Sequence, residues 1–227
     1  MASQSTSSAL AGVTERSYFW LARVHSLFGL MPVGVFLCFH LAINSTILAG
    51  PDKYQAAVQK IHLLDKIGLL LPVEILFILL PLIFHAVLGV VILLRGSVNV
   101  HAYPFWGNVR YLIQRATGIM VFVFIVFHLW QMHWLGLPYG GAYFNVENAS
   151  QSAAIAIQSS TLSISLYLLG VIAAAFHLAN GLWTASITWG LTIGARSQRN
   201  WGYVCALLGI CLALLGIAVA WTFSTLQ

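Results

Sequence analysis

The chain has 227 residues, of which 60% are hydrophobic and only 7% are charged, and its mean hydropathy is +0.89. About a quarter of the residues in an ordinary soluble domain are charged, so this composition excludes that class and predicts an integral membrane protein. The net charge of +5 arises in short loops and includes no long basic stretch, which argues against nucleic acid as a partner.

Residues 1–15 are rich in serine and lack the basic start and short apolar core of a secretory signal. We therefore expect a flexible tail there and one domain over 16–227. Five apolar intervals follow, each long enough for the ~20 residues that a bilayer crossing requires. They predict helices at about 22–48, 69–95, 111–136, 159–190 and 201–225.

The predicted fold class is an all-α membrane protein, a bundle of five transmembrane helices. Transmembrane strands would alternate between apolar and polar residues, whereas these runs are continuously apolar. Lysine and arginine are unevenly divided between the two sides, and the positive-inside rule then places the N-terminus in the bacterial cytoplasm and the C-terminus outside. One side has seven (Arg16, Arg23, Arg95, Arg110, Arg115, Arg196 and Arg199), the other three (Lys53, Lys60 and Lys66).

The dipeptide Phe-His occurs four times, each time inside a different predicted helix, at His40, His85, His128 and His177. A single such histidine could simply hydrogen-bond to a neighbouring helix. Ionisable residues inside a membrane are costly, however, and are usually functional. One histidine on each of four helices suits axial ligation of iron in pairs.

The depths of these histidines predict how they pair. With a rise of ~1.5 Å per residue, His40 and His128 fall in the outer half of the membrane and His85 and His177 in the inner half. The two levels are about 12 Å apart. This arrangement predicts two stacked b-type haems with bis-histidine ligation, held without covalent bonds because the chain has no Cys-x-x-Cys-His sequence.

Two glycines are weaker candidates. Gly89 and Gly181 each follow an inner histidine by four residues and so lie on the same helix face, where a missing side chain would let a flat porphyrin approach. Ordinary small-residue helix packing explains them equally well.

Polar residues near the two membrane surfaces are also weaker candidates. Arg23, His25 and Ser26, at the inner end of the first helix, could contact a haem propionate or a quinone. Glu74, near the outer face, is either an end-of-helix carboxylate that reaches water or part of a proton or quinol site.

Four segments resemble the dihaem cytochrome b membrane-anchor subunits (b558 type) of succinate:quinone oxidoreductases, the group that contains succinate dehydrogenases and fumarate reductases. The resemblance runs in order from about residue 16 to the end of the chain. The segments are RVHSLFGLMPVGVFLCFHL (23–41), LPLIFHAVLGV (80–90), QRATGIMVFVFIVFHLW (114–130) and FHLANGLWTASITWGLTIGARSQR (176–199).

The resemblance implies five helices and two haems b, with His85 and His177 as proximal ligands and His40 and His128 as distal ligands. It also implies a flavoprotein partner with FAD and an iron-sulfur partner, which act on succinate while this subunit passes electrons to a membrane quinone. Menaquinone is the expected quinone, with ubiquinone left open.

Several alternatives remain open at the level of sequence. Some fumarate-reducing relatives carry a glutamate two residues before the fourth ligand, where this chain has Ala175; this favours succinate oxidation without excluding fumarate reduction. A second possible function is that of a cytochrome b anchor of a hydrogenase or formate dehydrogenase. A haem-free proton or metal transporter is a more remote third possibility. The quinone site could lie on the outer face, near Glu74, Asp65 and Trp134, or on the inner face, near Arg23, His25 and Ser26.

Overall fold

A computed structural model of the chain describes residues 15–227, with side chains from Tyr18 onward. Residues 1–14, nearly all of the predicted tail, lie outside the described residues. No strand occurs in the described part, and its α-helices are α1 (Glu15–Phe28), α2 (Val35–Asn44), α3 (Pro51–His62), α4 (Leu70–Val73), α5 (Leu80–Arg95), α6 (Trp106–Met132), α7 (Ala149–Gln158), α8 (Thr161–Thr188) and α9 (Ala195–Thr225).

Five helical segments are long and apolar enough to cross a membrane, which confirms the predicted all-α membrane bundle. We call them the first to fifth spans: Tyr18–Ala49, Leu70–Arg95, Trp106–Met132, Thr161–Thr188 and Ala195–Thr225. The second and fourth agree with the predicted helices to within two residues.

The ends of the other three spans differ from the predicted ones. The third span begins before residue 111, where polar residues such as Asn108 are already helical, and it ends before residue 136 because His133 leaves the helix in an extended conformation (φ −112°, ψ 152°). The fifth span begins before residue 201, since polar residues such as Asn200 continue the helix beyond the apolar run. The first begins before residue 22, in α1, for the same reason. Hydropathy detects the apolar core of a span and not its polar ends.

The first two spans are each interrupted by a π-helical segment, Gly29–Gly34 in the first and Glu74–Leu79 in the second. These segments pack against each other. Pro32 lies inside the first of them and cannot donate a backbone hydrogen bond. A π-helical turn rotates the faces of the helix on either side of it, and such turns are frequent at functional sites.

The fourth span is the most enclosed of the five, because 39% of the residues in its most apolar stretch are buried inside the protein. It packs against the third and fifth spans. Small residues allow this contact: Gly209 lies against Ala179, and Gly216 lies against Val171. Close approach at glycine and alanine is the usual way in which helices associate in lipid, and here it fixes the helix that carries His177.

The two ends of the bundle differ in charge. We call the end that carries Arg95, Arg110 and Arg196 the basic end, and the other the opposite end. At the opposite end, α3 and α7 form a cover whose core includes Tyr54 and Ala153.

Candidate functional site

The structure brings His40 and His128 together near the opposite end. Their ring centroids are 5.7 Å apart, and the rings of Phe36 and Phe124 flank them. The Tyr167 hydroxyl lies 3.3 Å from His128 Nδ1.

The main chain at His40 is tied to the cover of the bundle. Asn44 donates from its side chain to the His40 carbonyl at 2.7 Å, and Tyr54 donates its hydroxyl to Asn44 Oδ1 at 3.4 Å. Burial raises the pKa of Tyr54 to about 12, so this hydroxyl keeps its proton and remains a donor.

A second cluster, nearer the basic end, contains three histidines. The centroids of His85 and His177 are 6.2 Å apart, and His25 stacks on His85 at 4.0 Å with the ring planes 9° from parallel. Two imidazoles on opposite sides of one metal are separated by two metal–nitrogen bonds of about 2 Å each plus part of each ring, which gives roughly 6 Å between centroids. Both predicted pairs fit this separation, and their role as haem ligands stays a prediction.

Backbone carbonyls fix the tautomer of two rings near the basic end. His25 Nδ1 donates to the His85 carbonyl at 3.0 Å, and His85 Nδ1 donates in return to the His25 carbonyl at 2.9 Å. His177 Nδ1 lies 3.3 Å from the Gln114 carbonyl. His177 Nδ1 also lies 3.2 Å from the Gln114 side-chain nitrogen. Because a carbonyl only accepts, Nδ1 of His25 and of His85 carries the proton and Nε2 keeps its lone pair, as a metal-binding histidine requires.

Two glycines that the sequence did not single out, Gly29 and Gly118, lie against the rings of His85 and His177. A Cβ at Gly29 would overlap the His85 ring, and one at Gly118 would lie 3.1 Å from His177 Cε1. Gly89 faces His25 instead, and a Cβ at Gly181 would be 3.6 Å from Gln114 Nε2. These contacts cross between helices, and room for a porphyrin at Gly89 and Gly181 stays a prediction. Gly29 follows His25 by four residues, the same spacing, but it lies against His85 on another span.

A continuous cavity of about 2850 Å³ connects the two histidine groups. Sites for drug-sized ligands usually enclose ~300–1,000 Å³, so this cavity has room for more than one large cofactor. All four predicted ligands line it, as do His25, Gly29, Gly89, Gly118 and Gly181.

The side chains of Arg23 and Ser26 form hydrogen bonds with residues at the end of the fourth span and within the first span. Arg23 donates to the Thr188 carbonyl at 2.8 Å, at the end of the fourth span. Ser26 donates to the Arg23 carbonyl at 2.8 Å and accepts from Trp189 Nε1 at 3.1 Å. Of the three residues predicted there for a propionate or quinone, His25 and Ser26 line the cavity and Arg23 does not.

A polar chain beside His177 was missed by sequence reasoning. Arg110 Nε donates to Asn180 Oδ1 at 2.8 Å, Asn180 Nδ2 donates to Gln114 Oε1 at 2.8 Å, and Gln114 Nε2 donates to the His177 carbonyl at 3.1 Å. The signal available in the sequence was Asn180, a buried amide one turn from His177. Nothing in the sequence indicated which helix would supply the hydrogen-bonding partners of the Asn180 amide.

Glu74 pairs with His133 at the opposite end of the cavity. The carboxylate oxygen lies 3.7 Å from His133 Nε2, and both residues line the cavity. Burial lowers the pKa of His133, and the Glu74 carboxylate partly offsets this effect. The Trp134 ring lies beside His133 at 5.1 Å between centroids with the planes tilted by 39°, whereas Asp65 is exposed in a neighbouring turn.

No protein-family model matches the chain. A curated relative does: the chain is 34% identical over 205 residues to the "Succinate dehydrogenase cytochrome b558 subunit" of Bacillus subtilis (strain 168). The aligned region covers 90% of this chain and 96% of the relative.

Proposed function

The chain belongs to the family of succinate dehydrogenase cytochrome b558 subunits, and we propose that it anchors a succinate:quinone oxidoreductase and carries electrons to a membrane quinone. It is a multi-pass membrane protein and a subunit of an enzyme complex. The name of the relative, a cytochrome b, supports haem b as the cofactor here.

The observation that carries this proposal is the presence of two facing histidine pairs at two depths of one bundle. His85 and His177 would hold the proximal haem, and His40 and His128 the distal haem. When bound, each haem supplies a one-electron couple, and two imidazoles leave no open position for oxygen. The His25 carbonyl that accepts from Nδ1 of His85 leaves Nε2 of that ring free to bind iron.

The depth of the two pairs supports electron transfer across the membrane. Tyr167 lies beside His128, and His177 follows ten residues later on the same span, which corresponds to about 15 Å along the helix. The bilayer core is ~30 Å thick. The two pairs therefore cover about half of the apolar thickness.

We propose that the basic end faces the cytoplasm and contacts the iron-sulfur subunit, beyond which lies a flavoprotein subunit with FAD. The distribution of lysine and arginine supports this orientation, and Arg196 and Arg199 are exposed at that end. Succinate is then oxidised in the partners, and this chain transfers electrons without contacting succinate. The complex would reside in the bacterial cytoplasmic membrane.

We place the quinone reaction, with menaquinone as the expected quinone, at the opposite end of the cavity. Glu74 and His133 provide two groups there that can exchange protons. Arg23 and Ser26, the corresponding candidates at the basic end, are already engaged in contacts with the end of the fourth span. This contrast favours the opposite end.

Purification of the complex from membranes tests the proposed function. We expect a subunit with covalent flavin and an iron-sulfur subunit to co-purify, and succinate to reduce a low-spin haem b spectrum in the preparation. A nickel or molybdenum subunit in their place, or a preparation without haem b, would contradict the proposal.

A further inference from the structure

The arginine side chains at the basic end are used in different ways, and this difference singles out Arg110. Arg23 donates to the Thr188 carbonyl at the end of the fourth span. Arg115 donates to the carbonyls of Leu93 and Gly96 at the end of the second span. Both cations therefore stabilise helix C-termini, where the helix dipole favours positive charge.

Arg110 and Arg115 both line the cavity, but Arg110 makes no hydrogen bond to a backbone carbonyl of the described residues. Its guanidinium stacks over the Trp183 ring at 3.7 Å, and its Nε donates to Asn180 Oδ1 at 2.8 Å. Trp183 is itself held, because its Nε1 donates to the Gln198 carbonyl at 2.9 Å. The guanidinium is thus held on one face by the Trp183 ring and at its Nε edge by the Asn180 side chain.

The terminal nitrogens of Arg110 make no hydrogen bond to the residues that the structure describes. A guanidinium has five N–H donors, and Nε supplies only one of them to Asn180. Among the described side chains, the acidic residues are Asp52, Asp65, Glu74 and Glu147, all at the opposite end. The cation at the edge of the apolar cavity consequently has no carboxylate from this part of the chain to pair with, although such groups in membranes are usually paired.

Arg110 lies one helical turn toward the basic end from the residue that contacts His177, where a group at the edge of a ligand bound there would reach it. Gln114, which contacts His177, lies one helical turn from Arg110 on the same span, or about 6 Å along the axis. Asn180 lies one turn beyond His177 toward the basic end and joins Arg110 to Gln114. Arginine binds carboxylates through two parallel N–H bonds, which a preset guanidinium plane favours.

We propose that Arg110 binds a propionate carboxylate of the haem held by His85 and His177, with Trp183 and Asn180 fixing its orientation. This inference rests on the proposed function, because it requires a haem at that site. The positive charge offsets the propionate charge near the iron and raises the midpoint potential of that haem. Asn180 also links the propionate contact to the helix face that carries His177.

The test uses the intact complex with Arg110→Gln and Arg110→Lys, and Arg199→Gln as the matched control. Arg199 is exposed at the same end of the bundle and does not line the cavity, so its substitution removes the same charge at a distance from the site. Potentiometric titration at several pH values gives the midpoint potentials, and the haem concerned is the one that His85→Ala removes.

We expect Arg110→Gln to lower the midpoint potential of that haem, to make this potential more dependent on pH, and to leave the second haem unchanged. Arg110→Lys should give a smaller decrease, and Arg199→Gln should match the unmodified complex. If the midpoint potentials of Arg110→Gln equal those of Arg199→Gln, Arg110 does not bind the propionate and the proposal is overturned.

If Arg110→Gln removes both haems, the Arg110→Lys variant provides the test instead. A lowered potential of the His85/His177 haem alone supports the contact between Arg110 and the propionate, and unchanged potentials overturn it. Failure of the proposed function looks different. It shows as an unmodified complex with fewer than two haems, before any variant is compared, and it overturns this inference as well.

Discussion

The histidine rings at the two depths are held by different acceptors. Near the basic end, Nδ1 of His85 and of His177 faces a backbone carbonyl, which no substitution of the acceptor residue removes. Near the opposite end, Nδ1 of His128 faces the hydroxyl of Tyr167. A side-chain acceptor can be deleted, so this difference allows one site to be altered separately from the other.

We predict that Tyr167→Phe raises the midpoint potential of the haem at His40 and His128. An acceptor on Nδ1 makes the imidazole more basic and stabilises oxidised iron, so its loss favours the reduced form. A neutral hydrogen bond contributes about 1 kcal/mol, which corresponds to at most about 40 mV for a one-electron couple. Redox titration measures the shift, with Tyr203→Phe, at an exposed tyrosine, as the control. Equal shifts in the two variants would refute the assigned contact.

The cluster near the basic end contains three histidine rings, whereas one haem iron takes two axial ligands. His25 is the third ring, and its role can be tested separately. His25 stacks directly on His85 and shares two hydrogen bonds with it, so it orients a ligand without being one in our account. His25→Ala should therefore retain two haems per subunit, with a shifted potential for one. Loss of a haem in His25→Ala would identify His25 as a ligand.

The pairing of the four histidines could be predicted from the sequence because depth along a helix follows directly from residue count. The side chains around them could not. Tyr167, Gln114 and Arg110 act across the boundary between the third and fourth spans. Which residues meet there depends on the rotation of each helix, and a nearly all-apolar span carries little information about its own rotation.

At the scale of the helices, the π-helical segment Gly29–Gly34 sets the contact between the first two spans. Its first residue, Gly29, lies against the His85 ring with no room for a Cβ. Five helices and their approximate centres could be predicted from hydropathy. The two π-helical segments could not, because inserting one residue into a turn leaves the apolar content of a span unchanged.

We predict that Gly29→Ala lowers the haem content at the His85 site. The added methyl group overlaps the ring, and overpacking of this kind typically costs ~1–3 kcal/mol. Haem extraction and quantification per subunit measures the loss. Gly107→Ala is the control, since a Cβ at Gly107 meets no other atom within 4 Å. Full haem content in Gly29→Ala would show that the ring can move away from this contact.

The bundle as a whole has one end rich in arginine and one end with all four acidic side chains of the described part. This asymmetry orients the protein in the membrane. It also separates the functions proposed here, with the iron-sulfur partner at the basic end and quinone chemistry near Glu74 and His133.

Cysteine labelling tests this orientation. In a variant without the native cysteines, we expect Lys66→Cys to react with a membrane-impermeant maleimide in intact cells, because Lys66 is exposed at the opposite end. His101→Cys, in the exposed loop between the second and third spans, should react only after the membrane is opened. The reverse pattern would place the basic end outside the cell.

The pairing of the histidines can be measured by haem quantification and redox titration of four variants, His40→Ala, His85→Ala, His128→Ala and His177→Ala. We predict that His85→Ala and His177→Ala lose the same haem and keep the other, whereas His40→Ala and His128→Ala lose the second haem and keep the first. Any other grouping of the four variants, or two haems retained in any one of them, would contradict the account.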